Sequence, residues 1–240
     1  MFRTKPQQPA AGPLWRGLFA GTRGGLLIGA LLVAAIGLSI SAHQYQRFPG
    51  DLPIAEWVQS LSIPLLGGFL DGVSFLGNSL PAAVMTTAVV LLLWVLRHRA
   101  DAAYMALITA GSTPLNWFVK ELVDRSRPVE ILMKAPKDLS SNSFPSGHTV
   151  FASVFFGLLI LYISDLDLGP RWVRRIFQVL LIGLILSMGT SRVYLGVHWP
   201  SDIIGGYTFG AIYLTLVMWH RGHIRASRLT SIGRSGEDSG

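Results

Sequence analysis

The sequence predicts an all-α, polytopic membrane protein of six transmembrane helices with both termini cytoplasmic, and three observations carry that expectation. Half of its 240 residues are apolar and only 14% are charged, where an ordinary soluble domain carries about 25% charged residues. Six segments of near-spanning length contain no Asp, Glu, Lys or Arg. The basic residues, finally, gather in alternate loops as the positive-inside rule requires. This pattern excludes a disordered chain and argues strongly against an ordinary soluble domain, and lipid is the natural solvent of the sequence.

A hydrocarbon core about 30 Å thick needs roughly 17–25 apolar residues in a helix, because each rises about 1.5 Å and every backbone polar group must be satisfied internally. Residues 24–42, 80–96, 102–119, 149–164, 176–191 and 203–219 meet that need, the fourth and fifth only just. Residues 52–70 are apolar too, but they carry Glu56, Pro53, Pro64 and the paired Gly67 and Gly68. They are read as an interfacial helix between the first two spans; a seventh span there would put the termini on opposite sides. The domain plan is therefore a cytoplasmic segment 1–23, a membrane domain 24–220 and a cytoplasmic tail 221–240, partly disordered from Ser231 onward. The first span could serve as a cleaved signal, given the small residues near Ser39 and Ala42, but its basic leader is long for that role.

Orientation follows from the charges. Arg3, Lys5, Arg16 and Arg23 keep the N-terminus inside, and Arg97, Arg99, Arg171, Arg174, Arg175, Arg221, Arg225, Arg228 and Arg234 then fall on the same side. The rest, Arg47, Lys120, Arg125, Arg127, Lys134, Lys137 and Arg192, lie outside, nearly all in or beside two connections. A net charge of +7 is thus explained by membrane topology without nucleic acid as a partner. Cysteine is absent, which removes disulfides, thiolate metal sites and cysteine nucleophiles.

Three blocks at the outer helix ends carry candidate chemistry. In the first, Lys120 and Arg127-Pro128 place two cations seven residues apart, on one face if the third helix continues; Asp124 between them equally suits a surface ion-pair ladder. In the second, Pro145-Ser146-Gly147-His148 precedes the fourth span, where helix N–H groups and the helix dipole can cradle a phosphate. An ordinary N-cap by Ser146 is the plainer alternative. In the third, Ser191-Arg192, five residues, His198, three residues and Asp202 join the last two spans, with Pro200 suited to the first helical turn. Asp202 there could accept the His198 N–H and raise its basicity, or merely complement the helix dipole. Two histidines and a carboxylate could also hold zinc or iron, but Lys120, Arg127 and Arg192 would repel a cation and suit phosphoryl oxygens instead.

These blocks resemble, in full and in order, the three signature motifs of the type-2 phosphatidic acid phosphatase superfamily. The match runs from Lys120 to Asp202 without departure at a catalytic position. The resemblance implies an integral membrane lipid phosphate or pyrophosphate phosphatase without metal or organic cofactor. It assigns His198 as nucleophile oriented by Asp202, His148 as proton donor, and Lys120, Arg127, Ser146, Gly147 and Arg192 as phosphate ligands. It places the site at the extracytoplasmic face, in a bacterial inner membrane by the compactness of the chain. The expected partners are a lipid phosphate and the bilayer, with Trp117, Tyr194, Trp199 and Tyr207 as candidate interfacial anchors. The Gly206/Gly210 pair suits either a homodimer contact or close packing within the bundle.

Two other readings stand beside this one. A phosphotransferase would use the same histidine and a different acceptor. Pro114 with Ser112, Thr113 and Asn116 could mark a transporter's broken helix, although ionisable residues would then be expected near mid-membrane.

Overall fold

The computed structural model describes residues 19, 21–128, 141–165 and 170–237, with side chains described as far as residue 224. Lys134, Lys137 and the basic residues before Arg23 lie outside these. The described residues form eight helices and no strand: α1 (Gly21–Gln44), α2 (Asp51–Ser60), α3 (Leu66–Leu76), α4 (Ser79–Val95), α5 (Arg99–Val123), α6 (Gly147–Asp165), α7 (Arg171–Tyr194) and α8 (Pro200–Glu237). Pro114 lies inside α5, which runs unbroken across it from Arg99 to Val123. Pro81 and Pro200 occupy first turns, whose N–H groups have no intrahelical acceptor.

All six expected segments are helical. Four helices, α1, α6, α7 and the Pro200–Ile224 part of α8, are individually long and apolar enough to cross a membrane, and α3 with α4, bent by 64° at their junction, makes a fifth. α5 runs 25 residues and keeps its charges near its ends, at Arg99, Asp101, Lys120 and Glu121. α8 remains helical through Glu237, so helix covers most of the stretch expected to be a partly disordered tail.

The connection after the first span differs from expectation. In place of one interfacial helix there are two, α2 and α3, broken at residues 61–65. Pro64 disfavours helical geometry at the residue before it, and Leu65 adopts a left-handed φ of 66°. Both helices pack on α7, at its C-terminal end. Ala55 and Val58 of α2 join Val193, Trp199 and Ile203 in one apolar cluster, and Gln59 Nε2 donates to Tyr194 O at 3.2 Å.

The chain divides into two units, Met1–Ile28 with Thr215–Gly240, and Gly29–Leu214. In the first, Trp219 Nε1 donates to Gly21 O at 3.1 Å. The second contains the three motifs and is centred on α6, the most enclosed span with 61% of its apolar window buried against 11% in α1. α8 reaches α6 through small residues: a Cβ on Gly206 would lie 2.7 Å from Thr149 Cβ, and one on Gly210 would collide with Ser153. The Gly206/Gly210 pair is therefore occupied by packing inside the bundle.

Candidate active site

Local backbone geometry, rather than one continuing helix, brings Lys120 and Arg127 together. α5 stops at Val123, and Asp124 takes a left-handed φ of 47°, which turns the following residues back across the helix end. Lys120 Nζ then donates to the carbonyls of Asn142 and Ser143. Arg127 donates through Nε to Ser141 O at 2.7 Å and through Nη1 to Val197 O at 2.8 Å.

His198 occupies the short loop between α7 and α8 and is 2% exposed. Arg127 Nη1 stands 3.0 Å from its Nε2. Because a guanidinium can only donate, Nε2 carries the lone pair and Nδ1 the proton, a tautomer assigned from the hydrogen-bond network. Nδ1 faces Asp202 Oδ2 at 3.3 Å. That same oxygen accepts from Trp199 N at 2.9 Å and from the Ser143 hydroxyl. Asp202 is wholly buried in the first turn of α8, and its second oxygen, Oδ1, accepts from Arg125 Nη1 at 2.7 Å.

The remaining residues close around this imidazole. Ser146 and Gly147 form the start of α6, with Ser146 N bonded to Asp202 O at 3.1 Å and Ser146 Oγ accepting from Thr149 Oγ1 at 3.0 Å. Arg192, near the end of α7, donates through Nη1 to Ser74 Oγ of α3 at 2.6 Å, while its buried Nε has no hydrogen-bond partner among the described residues. His148 places Nε2 3.2 Å from Asn78 Oδ1 and packs its ring on Gly77, where a Cβ would meet the imidazole. It borders a cavity of about 680 Å³ between α4, α5 and α6.

Burial first, then the charges of Arg127, Lys120 and Arg192 and the ring of His148, push the His198 imidazole well below the usual histidine range. It is therefore neutral at pH 7. Burial also lowers the proton affinity of Arg127, with Asp202 opposing that change. Among the described residues no three His, Cys, Asp or Glu side chains converge as metal ligands; Asp202 holds Nδ1 of His198, and Arg127, Lys120, Arg192 and His148 are the other groups that act on the ring.

The PAP2 superfamily model matches residues 101–225. The chain belongs to the PAP2 superfamily. It is 28% identical to phosphatidylglycerophosphatase B of Bacillus subtilis (strain 168) over 75% of this chain and 87% of that protein. It is 31% identical to YbjG of Escherichia coli (strain K12), provisionally named an undecaprenyl-diphosphatase, over 74% of this chain and 82% of that protein. The crystal structure of a transmembrane PAP2-type phosphatidylglycerolphosphate phosphatase from Bacillus subtilis matches with a TM-score of 0.69 and 24% identity, covering 80% of this chain and 93% of that one. The PAP2 chain described here is accordingly an integral membrane phosphatase, a hydrolase whose relatives act on lipid phosphates.

Several side chains that touch the predicted site residues were not singled out in the sequence, among them Ser143, Ser74 and Asn78. Ser143 lies just before the second motif, while Ser74 and Asn78 lie between the stretch 52–70 read as interfacial and the second expected span, far from any motif. Arg125 stands inside the first motif and was seen only as one of the outside cations, and Asp51 carried no signal at all. Of the expected rim aromatics, Trp199 is 4% exposed and donates to Ser126 O, so it belongs to the packed interior, whereas Trp117 is 60% exposed.

Proposed function

We propose that this PAP2 protein hydrolyses the phosphomonoester or diphosphate of a membrane lipid through a phosphohistidine on His198, at the extracytoplasmic end of a six-span bundle in a bacterial inner membrane. The observation that supports this most is the fixing of His198 from both sides, with Asp202 on Nδ1 and the lone pair of Nε2 turned toward Arg127. Such an imidazole is oriented for in-line attack before substrate arrives.

Nε2 forms a bond to phosphorus as the bond to the leaving oxygen breaks, and His148 donates a proton to that oxygen. Water then attacks the phosphohistidine, giving its proton to His148 and releasing phosphate with His198 restored. Lys120, Arg127 and Arg192, with the Ser146 hydroxyl and the Gly147 N–H, bind the equatorial oxygens and stabilise the charge that spreads over them. The free Nε of Arg192 provides a donor ready for one of these oxygens. No step calls for a metal, so excess chelator leaves turnover unchanged.

Phosphate release from the purified protein is the test, measured on phosphatidate, phosphatidylglycerophosphate, a polyprenyl diphosphate and a sphingoid phosphate. His198→Ala abolishes release from all of them and abolishes the acid-labile phosphoryl-enzyme trapped from labelled substrate. Near-normal turnover by that variant overturns the nucleophile assignment. Phosphate appearing only when a second lipid is added identifies a phosphotransferase instead.

A further inference from the structure

Outside the three motifs, one cluster of buried charge ties a distant helix to the nucleophile. Arg125 is fully buried. Its Nη1 donates to Asp202 Oδ1 at 2.7 Å and to Ser201 Oγ at 2.8 Å, its Nη2 to Asp51 Oδ2 at 2.7 Å, and its Nε to Gln46 O at 3.2 Å. Its guanidinium also lies 4.9 Å above the Phe48 ring. Asp51, first residue of α2, is 2% exposed and accepts from Phe48 N at 2.9 Å, Ser201 N at 2.9 Å and Ser201 Oγ at 2.7 Å. The two carboxylates therefore share one guanidinium, and the second of them holds the His198 ring.

We infer that Asp51 and Arg125 are positioning residues for the PAP2 reaction: together they fix the rotamer and the available charge of Asp202, and through it the orientation of His198. The inference rests on the reading of His198 as nucleophile.

The physics has a geometric and an electrostatic part. Arg125 engages Oδ1, so the carboxylate cannot turn toward Lys120 or Arg127 and Oδ2 remains aligned on His198 Nδ1. A lysine could keep the charge but not the fork that reaches both carboxylates and Ser201 at once. Electrostatically, a lone buried Arg125 would neutralise Asp202 and leave it little to offer the imidazole. Asp51 offsets that cation, so the series Asp51, Arg125, Asp202 retains one net negative charge beside His198. The other groups facing His198 are Lys120 of α5, Arg127, His148 of α6 and Arg192 of α7, all of which oppose its protonation. Asp202 and, behind it, Asp51 counter them.

The two variants should therefore move the acid limb of kcat/KM in opposite directions. Asp51→Asn removes a negative charge, lowers the basicity of His198 and shifts the limb to lower pH. Arg125→Gln removes a positive charge and shifts it to higher pH. Arg125→Lys leaves the limb near its wild-type position. In all three kcat falls by about 10- to 100-fold, as loss of an outer-shell partner does, with KM within about twofold. Dioctanoyl phosphatidate hydrolysis by the full-length detergent-purified protein provides the readout, with folding checked by size-exclusion chromatography.

Limbs that move together, or kcat within twofold of wild type for Asp51→Asn and Arg125→Lys, overturn the inference. If Arg125→Gln does not fold, the remaining pair still decides it: a downward limb shift for Asp51→Asn with an unmoved limb for Arg125→Lys and a fall in kcat for both supports it, and an unmoved or upward limb for Asp51→Asn overturns it. A His198→Ala protein that still turns over removes the underlying nucleophile reading. An inactive His198→Ala beside a wild-type-like Asp51→Asn removes only this inference.

Discussion

His198 and His148 belong to one cup and are treated oppositely by the fold. Both ring nitrogens of His198 are engaged, the residue is almost inaccessible, and its carboxylate partner is bonded on both oxygens. His148 is only half-buried in the first turn of α6, beside Asn78 and a cavity of about 680 Å³. The difference matches two chemical tasks. A nucleophile gains from being immobilised in line with phosphorus, whereas a proton donor must follow a departing oxygen and exchange its proton with water. On the proposed mechanism the bond to phosphorus forms on the immobilised side and the leaving group departs on the open side.

The sharpest way to break this contrast is to vary the leaving group. His198→Ala should lose activity by about 10⁴-fold or more on every substrate, because no covalent route remains. His148→Ala should lose about 10²–10⁴-fold on lipid monoesters, whose alkoxide needs a proton, but about tenfold or less on p-nitrophenyl phosphate, whose phenolate does not. Steady-state rates on both substrates decide the matter. Equal losses for His148→Ala on the two would remove it as proton donor.

A smaller effect sharpens the immobilised side. Ser143→Ala deletes one donor to the Asp202 oxygen that holds His198, and kcat should fall about tenfold, roughly 1.4 kcal/mol of barrier, with KM unchanged. Asn78→Ala, on the open side, should cost only about threefold. A larger loss at Asn78 than at Ser143 would reverse the assignment of rigid and open sides.

The parts legible in the sequence were those written in local pattern. Uncharged runs located every long helix, since lipid leaves the backbone no alternative. The motif spacings located all eight predicted site residues on elements that the fold brings together. What escaped were partners whose proximity depends on chain crossing. Asp51 is 74 residues from the arginine it binds, and Ser74 is 118 from Arg192. Neither is marked by periodicity or spacing, because a buried polar contact between helices leaves no trace on either helix alone. The break between α2 and α3 was signalled by Pro64, but the apolar run around it concealed the signal. Asp124 similarly read as an ion-pair partner, while its actual contribution is a left-handed helix end.

The open side also invites a steric test. Thr113 of α5, Thr87 of α4 and Phe151 of α6 line the cavity next to His148, the proposed proton donor. If the lipid portion of the substrate extends there, Thr113→Phe should raise KM for long-chain phosphatidate by about threefold to tenfold, since overpacking a formed cavity costs about 1–3 kcal/mol. The same variant should leave kcat/KM for p-nitrophenyl phosphate within about twofold, because that substrate reaches the cations and His198 without filling the cavity. A parallel loss on both substrates would mean that the substitution disturbs His148 itself and that the cavity does not discriminate between leaving groups. A loss confined to the long-chain substrate would extend the contrast between the two histidines to the walls around them.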